Sequence, residues 1–99
     1  MEEQALDLLD AAYRKAEHRE IEGKDALVFQ DSDAANAVGL STAARDTPEA
    51  RTYRRVMESL LDSGAVAVPL IRDGGLSGST VYEITTHGVE MLHEAGRIA

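Results

Sequence analysis

The stretch YEITTHGVEML, residues 82–92, joins a strand pattern to a helix pattern and indicates how the chain folds. Tyr82 and Ile84 alternate with polar residues, which is typical of a strand with one buried face. Thr85 or Thr86 is a suitable N-cap, because its hydroxyl can accept a hydrogen bond from a free N–H of the first helical turn. We therefore expect a strand that ends near Thr85 and then a helix. Its predicted inward residues are Val89, Leu92 and Ala95.

The residues before this stretch predict its partner strand. AVAVPLI, residues 65–71, alternates, and Pro69 marks an edge because it has no N–H for a ladder hydrogen bond. RDGGLSGS, residues 72–79, contains three glycines and predicts a loop. We expect 65–71 and 80–85 to pair as an antiparallel hairpin. One face of its first strand should carry Val66, Val68 and Leu70.

The strongest helix pattern covers residues 47–63. Thr47 is a suitable N-cap, Pro48 suits the first helical position, and Gly64 should end the helix. The apolar residues recur at spacings of three and four, which predicts one buried stripe. That stripe consists of Ala50, Tyr53, Val56, Met57, Leu60 and Leu61.

The first half of the chain predicts two further helices and a short strand. Residues 2–19 repeat apolar side chains with helical spacing, and this helix should end before Gly23. The apolar run at 26–29 is too short for a helix and is interpreted as an extended segment or a very short strand. Ser32 or Asp33 can then cap a helix of about two turns. Gly39 should end that helix.

Composition limits the classes of protein that fit. The 99 residues suit a single domain over positions 1–99, and the absence of cysteine excludes disulfides and thiolate zinc sites. The net charge of −8 argues against loose attraction of the whole surface to nucleic acid, although it permits a local basic site. The sequence contains no signal-peptide or membrane-span pattern, so we expect a cytoplasmic protein.

No combination of residues predicts a metal-binding or catalytic site. His87 and His93 stand six positions apart, and His18 stands alone at the expected end of the first helix, so no metal site is predicted. Ser77 lacks the motif of a nucleophile elbow. We expect neither an enzyme nor a bound cofactor.

The order of the predicted elements, together with three short motifs, resembles a winged helix-turn-helix domain of the bacterial regulator type. The motifs are AANAVGLS at 34–41, LLDSGAV at 60–66 and YEITTHGVEML at 82–92. The resemblance implies an α+β, mostly helical fold, with a three-helix core, a β-hairpin wing and a C-terminal helix. It also implies a DNA-binding transcriptional regulator that contacts double-stranded DNA through the third helix and the wing.

One spacing differs from that pattern. In the family the turn after the GLS motif is short, whereas here seven positions separate Ser41 from Pro48. Two arrangements are possible. Either the turn is long and has its own helical twist through residues 41–45, or the third helix starts early and bends at Pro48.

The stretch RDTPEARTYRR, residues 45–55, contains four of the ten basic residues of this acidic chain. On a helix with 100° per residue, Arg51 and Arg55 lie opposite the apolar stripe, and Arg54 lies on its flank. The resemblance implies that the start of this helix meets DNA, where arginine grips phosphate or reads guanine. The predicted DNA-binding residues are Ser41, Thr42, Arg45, Arg51, Thr52, Arg54, Arg55 and Arg72.

Two alternatives stay open. The arginines can form an ordinary solvated face, in which Arg54 pairs with Glu58 one turn later. In that case the like charges of Arg51 and Arg55, near the positive end of the helix dipole, are mildly unfavourable. The protein can also be a winged-helix protein-interaction module without DNA binding. For either function we expect a homodimer formed through the first and last helices.

Overall fold

The computed structural model describes residues 2–21, 23–43, 45–68 and 80–98. The elements are α1 (Glu3–Lys15), β1 (Glu17–Ile21), β2 (Lys24–Gln30), α2 (Asp31–Ala37), α3 (Pro48–Asp62), β3 (Val66–Ala67), β4 (Val81–Ile84) and α4 (Thr86–Glu94). They form a small α+β domain, about half helical, with a four-stranded antiparallel sheet. No helix in these ranges is both long and apolar enough to cross a membrane.

The sheet has the strand order β1-β2-β4-β3, and each neighbouring pair is antiparallel. Val66 and Ala67 of β3 lie opposite Ile84 and Glu83 of β4, so the predicted antiparallel pairing is confirmed for these residues. On the other side of β4, Phe29 lies opposite Tyr82, and their stacked rings have centroids 6.1 Å apart. Strand β4, which follows α3, is therefore paired with β2 from the first half of the chain.

Helix α1 is central to the core, because it packs against α2, α3, α4 and β2. Burying these apolar side chains removes them from water, which is the main favourable term in folding. Leu92 is fully buried, as predicted, and Tyr82 is partly buried against the same core. The largest fully buried side chains are Leu8, Leu9, Val56, Leu60, Val66 and Leu92.

The junction between β4 and α4 is held by Thr85, which is the N-cap. Its hydroxyl accepts a hydrogen bond from the N–H of Gly88 at 3.0 Å and donates to the carbonyl of Gly64 at 2.6 Å. Its own N–H donates to the carbonyl of Ala65 at 3.0 Å. A Cβ on Gly88 would lie 2.3 Å from the carbonyl oxygen of Ala65, so only glycine fits there. The motif at 82–92 thus fastens α4 to the end of α3.

The prediction for the end of the first helix was wrong. α1 ends at Lys15, and Glu17–Ile21 forms strand β1, which pairs along its whole length with β2. Gly23 has a φ of +80°, a conformation that suits glycine, and lies between the two strands. Backbone pairing with β2 overrides the weak helical preference of this polar segment. His18 therefore lies in a strand rather than at a helix end.

Smaller differences concern element ends. α2 begins at Asp31, so the predicted caps Ser32 and Asp33 lie inside it. Val68 is 68% exposed, because strand β3 ends at Ala67, and Ala95 is exposed beyond the end of α4. The predictions for Pro69, Leu70 and 71–79, which include Arg72 and Ser77, fall outside the described residues.

The connection between α2 and α3 settles one of the open alternatives. Thr47 is the N-cap of α3, with its hydroxyl accepting from the N–H of Ala50 at 3.2 Å, and Pro48 is the first helical residue. The helix therefore neither starts early nor bends at Pro48. The turn is therefore long, but the helical twist expected over residues 41–45 is not found, because the described residues 40–43 and 45–47 form no helix.

Candidate nucleic-acid interface

The outer face of α3 is basic over its first two turns. The helix buries Ala50, Tyr53, Val56, Met57 and Leu60 against the core. Because these residues lie on one side, Arg51, Arg54 and Arg55 are exposed, as the helical periodicity predicts. The structure thus brings three of the predicted residues together on a rigid element.

Arg51 has an acidic partner in the preceding connection. Its Nη1 donates to Oδ1 of Asp46 at 2.8 Å. Both side chains are more than half exposed, at 55% and 81%. An exposed pair of this kind typically contributes about 0–1 kcal/mol to stability, since water screens it and two side chains lose freedom. Arg51 is therefore held, but weakly.

Arg55 has two partners at the start of α1, the N-cap residue Glu2 and Gln4, more than fifty positions away. Its Nη1 donates to Oε1 of Glu2, and its Nη2 donates to Oε1 of Gln4 at 2.8 Å. The side chains of Arg55 and Glu2 are 54% and 42% exposed. Both terminal nitrogens of this guanidinium are thus occupied by the first turn of α1. Sequence reasoning missed both partners, because a contact across 53 positions leaves no local pattern.

Arg54 and Arg45 differ from these two. Neither makes an ion pair with any residue that the structure describes, and both are exposed. The predicted pair between Arg54 and Glu58 is absent, although both residues lie on α3. The exposure of Arg51, Arg54 and Arg55 nevertheless fits the alternative of a solvated helix face, which stays open.

The remaining predicted residues lie in the approach to α3 or on its flank. The hydroxyl of Ser41 accepts a hydrogen bond from the N–H of Ala43 at 3.1 Å, which shapes the start of the connection. Thr42 and Thr52 are partly buried. Thr52 belongs to α3, next to Arg51, whereas Ser41 and Thr42 belong to the connection with Arg45.

A buried polar cluster lies on the opposite side of α3 from this face, and no local pattern predicts it. Asp31 is only 7% exposed, and its carboxylate accepts from the hydroxyl of Tyr53 at 3.2 Å and from the N–H of Thr80 at 3.0 Å. Burial raises the pKa of Tyr53 well above its usual value, and the charge of Asp31 raises it further. The pKa of Tyr82 is raised by the same two causes. This cluster fixes α3 against α2 and β4.

A second charged contact joins the end of the described chain to α1. Nη1 of Arg97 donates to Oδ1 of Asp7 at 2.7 Å and lies 3.9 Å from Oδ2 of Asp10. The hydrogen bond to Asp7 raises the pKa of Arg97. Arg97 thus binds acidic residues of α1, and it is separated in sequence from the basic face of α3.

The histidines show no convergence on a metal. Nδ1 of His18 lies 3.1 Å from Oδ2 of Asp25 across the β1–β2 pair. His87 and His93 are exposed on α4. Among the residues with described placement, no three histidine or carboxylate side chains form a group that could hold a metal ion.

Comparison of the chain with models of known protein families gave no match, and comparison with curated proteins and with solved structures gave none either. The function of the α3 face is therefore inferred from its own geometry and charge.

Proposed function

We propose that the protein is a DNA-binding transcriptional regulator of the winged-helix type, which contacts DNA through α3 and the wing. One observation carries this proposal. In a chain with a net charge of −8, three arginines lie exposed on the first half of one helix, namely Arg51, Arg54 and Arg55. A local basic face on a rigid helix is the element that a DNA groove requires.

The arrangement around α3 supports the winged-helix assignment. Helices α2 and α3 follow each other, the antiparallel strands β3 and β4 come directly after them, and α4 follows. This order resembles that of winged helix-turn-helix regulators. Within this proposal, the predicted wing is the segment between β3 and β4, which includes Arg72.

The acidic partners of two arginines do not prevent DNA contact. The pairs of Arg51 with Asp46 and of Arg55 with Glu2 are exposed, so each stabilises the fold by at most about 1 kcal/mol. A phosphate offers the same guanidinium a charge-assisted hydrogen bond of the same kind, so the carboxylate can be exchanged for it. Arg54 and Arg45 have no ionic partner to exchange among the residues that the structure describes.

The proposal is tested by replacing Arg51 and Arg55 together with alanine. Binding to labelled genomic DNA fragments is measured by fluorescence anisotropy at low and moderate salt. If each arginine touches a phosphate, affinity falls for all sequences and the salt slope falls by about 1 per residue. If one reads a guanine, affinity falls by about 1–3 kcal/mol and preference at one base position is relaxed.

Arg14→Ala is the matched control. Arg14 lies on α1, is 68% exposed and pairs with Asp10 at 3.0 Å, so the substitution removes the same charge from another exposed pair. We expect it to change affinity less than Arg51→Ala or Arg55→Ala made singly, each of which also removes one charge. Wild-type protein that binds no DNA at low salt, or a double variant with unchanged affinity, would contradict the proposal.

A second function is favoured by a specific observation. Arg51 and Arg55 already bind carboxylate groups of their own chain. An acidic protein surface would present the same chemistry, so the same face suits a winged-helix protein-interaction module. In that case the wild type captures a partner protein from cell extract, the double variant does not, and neither binds DNA.

A further inference from the structure

Arg55 is more fully engaged than its neighbours on α3. Its two terminal nitrogens donate to different side chains, the carboxylate of Glu2 and the amide of Gln4. A guanidinium grips a phosphate or a guanine edge in bidentate fashion with donors of the same fork. The two uses of Arg55 therefore compete.

We propose that Glu2, supported by Gln4, is an autoinhibitory carboxylate that competes with DNA for Arg55. This inference rests on the proposed function, because it concerns how the same arginine is made available. Glu2 takes the place that a DNA phosphate would occupy. The N-terminal end of α1 thus lowers the affinity of α3 for DNA.

The position of Glu2 suits a contact that opens. Glu2 is the N-cap residue of α1, with an extended backbone at φ −68° and ψ 155°, and its side chain makes no capping hydrogen bond. Releasing Arg55 therefore costs α1 no cap. After release, the carboxylate stays near the positive end of the α1 dipole, which stabilises a negative charge. The change is limited to side chains.

Arg51 does not share this arrangement. Its partner Asp46 lies in the connection directly before α3, five positions away, so that contact is local. The contact of Arg55 spans 53 positions and joins two separate helices. Among the contacts that the structure describes, the one of Arg55 joins the basic face of α3 to another helix.

The test compares Glu2→Gln with Glu3→Gln in the same DNA-binding assay. Both variants lose one negative charge near the start of α1. The side chain of Glu3 is 86% exposed, and its Oε1 lies 3.8 Å from Nη2 of Arg97. Long-range attraction to DNA therefore rises equally in the two variants. We expect Glu2→Gln to bind DNA roughly 2- to 5-fold more tightly than Glu3→Gln at low salt, the scale of one exposed ion pair.

The same pair of substitutions is then made in an Arg55→Ala background. If Glu2 acts through Arg55, its excess over Glu3 disappears there, because the cycle isolates the interaction of the two residues. An excess that persists without Arg55 overturns the inference. A further outcome separates the inference from the proposed function. If the wild type binds DNA and Arg55→Ala binds less, but Glu2→Gln and Glu3→Gln have equal affinities, the inference alone is overturned. Absence of binding by every variant, including Glu2→Gln, overturns the proposed function as well.

Discussion

The hydroxyl of Tyr53 on α3 donates a hydrogen bond to Oδ2 of Asp31 at the start of α2, at 3.2 Å. The other carboxylate oxygen accepts from the N–H of Thr80, and the N–H of Asp31 donates to the carbonyl of Thr80 at 2.9 Å. One buried side chain thus connects α2, α3 and the residue before β4. Because the core is otherwise apolar around these elements, satisfying this carboxylate is a condition for the fold.

The first prediction concerns this cluster. Tyr53→Phe removes one hydrogen bond to a charged group and should lower the free energy of unfolding by about 1–3 kcal/mol. Asp31→Ala should cost more, because it leaves both the Tyr53 hydroxyl and the Thr80 N–H without a partner. Urea denaturation measures both. Tyr13→Phe is the control, since the hydroxyl of this partly buried residue has no partner among the described residues; an equal cost there would refute the prediction.

A second prediction concerns alkaline pH. Because folding raises the pKa of Tyr53, an unfolded chain loses this proton near pH 10 while the folded chain keeps it. The stability that Tyr53 contributes through this pKa difference is fully present below pH 10. Above pH 10 the free energy of unfolding falls by about 1.4 kcal/mol per pH unit for each such tyrosine. Tyr82 contributes in the same direction. We expect the free energy of unfolding, measured from pH 8 to 11.5, to fall less steeply in Tyr53→Phe than in the wild type. Parallel curves would be evidence against a raised pKa of Tyr53.

A third prediction concerns Gly88. A methyl group here would lie 2.3 Å from the carbonyl oxygen of Ala65 and 3.1 Å from Cγ2 of Ile84, so α4 would have to move away from β3. Gly88→Ala should therefore cost about 1–3 kcal/mol or more, although alanine is the better helix former. Glu90→Ala, at an exposed position of α4, should change the melting temperature little. A stabilising effect of Gly88→Ala would show that the close approach is absent in solution.

The fourth prediction concerns Leu92. This side chain is fully buried, so Leu92→Ala should lower the free energy of unfolding by roughly 2–5 kcal/mol through lost burial and a cavity. Met91→Ala is the neighbouring control, because Met91 is only partly buried against the core. A cost for Leu92→Ala below about 0.5 kcal/mol, typical of surface sites, would be incompatible with its place in the core.

The fifth prediction is a homodimer, which a regulator needs because one recognition helix reads too few base pairs. The terminal helices were expected to be free for this contact. In the structure α1 is central to the core, and Met91 and Ile98 are partly buried against that core. Light scattering at high concentration, with and without DNA, should give the mass of two chains. A single-chain mass under both conditions would contradict the dimer.

The parts of the fold that the sequence predicts are those specified by local signals. Thr47 and Pro48 fix the start of α3, and the Thr85 cap with Gly88 fixes the start of α4, within a few residues of each signal. Strand β1 was missed because its residues lack apolar alternation and depend on β2 for their backbone partners. Gly23, which was interpreted only as a limit for the first helix, lies at the turn between these strands.

The candidate site was predictable in the same limited sense. Helical periodicity is enough to place Arg51, Arg54 and Arg55 on the outer face, since spacing along one helix decides it. The partners of Arg55 were not predictable, because Glu2 and Gln4 come from another helix and depend on how α1 packs against α3.

The charged strand β1 has a consequence for the behaviour of the protein at high concentration. It is the outer strand at its side of the sheet in the described chain, and residues 17–20 are all exposed. A strand from another molecule that added to this edge would bring Glu17, Arg19 and Glu20 next to foreign backbone, and their charges would lose water. The hairpin that the sequence did not reveal therefore protects the open side of the sheet from aggregation by strand addition.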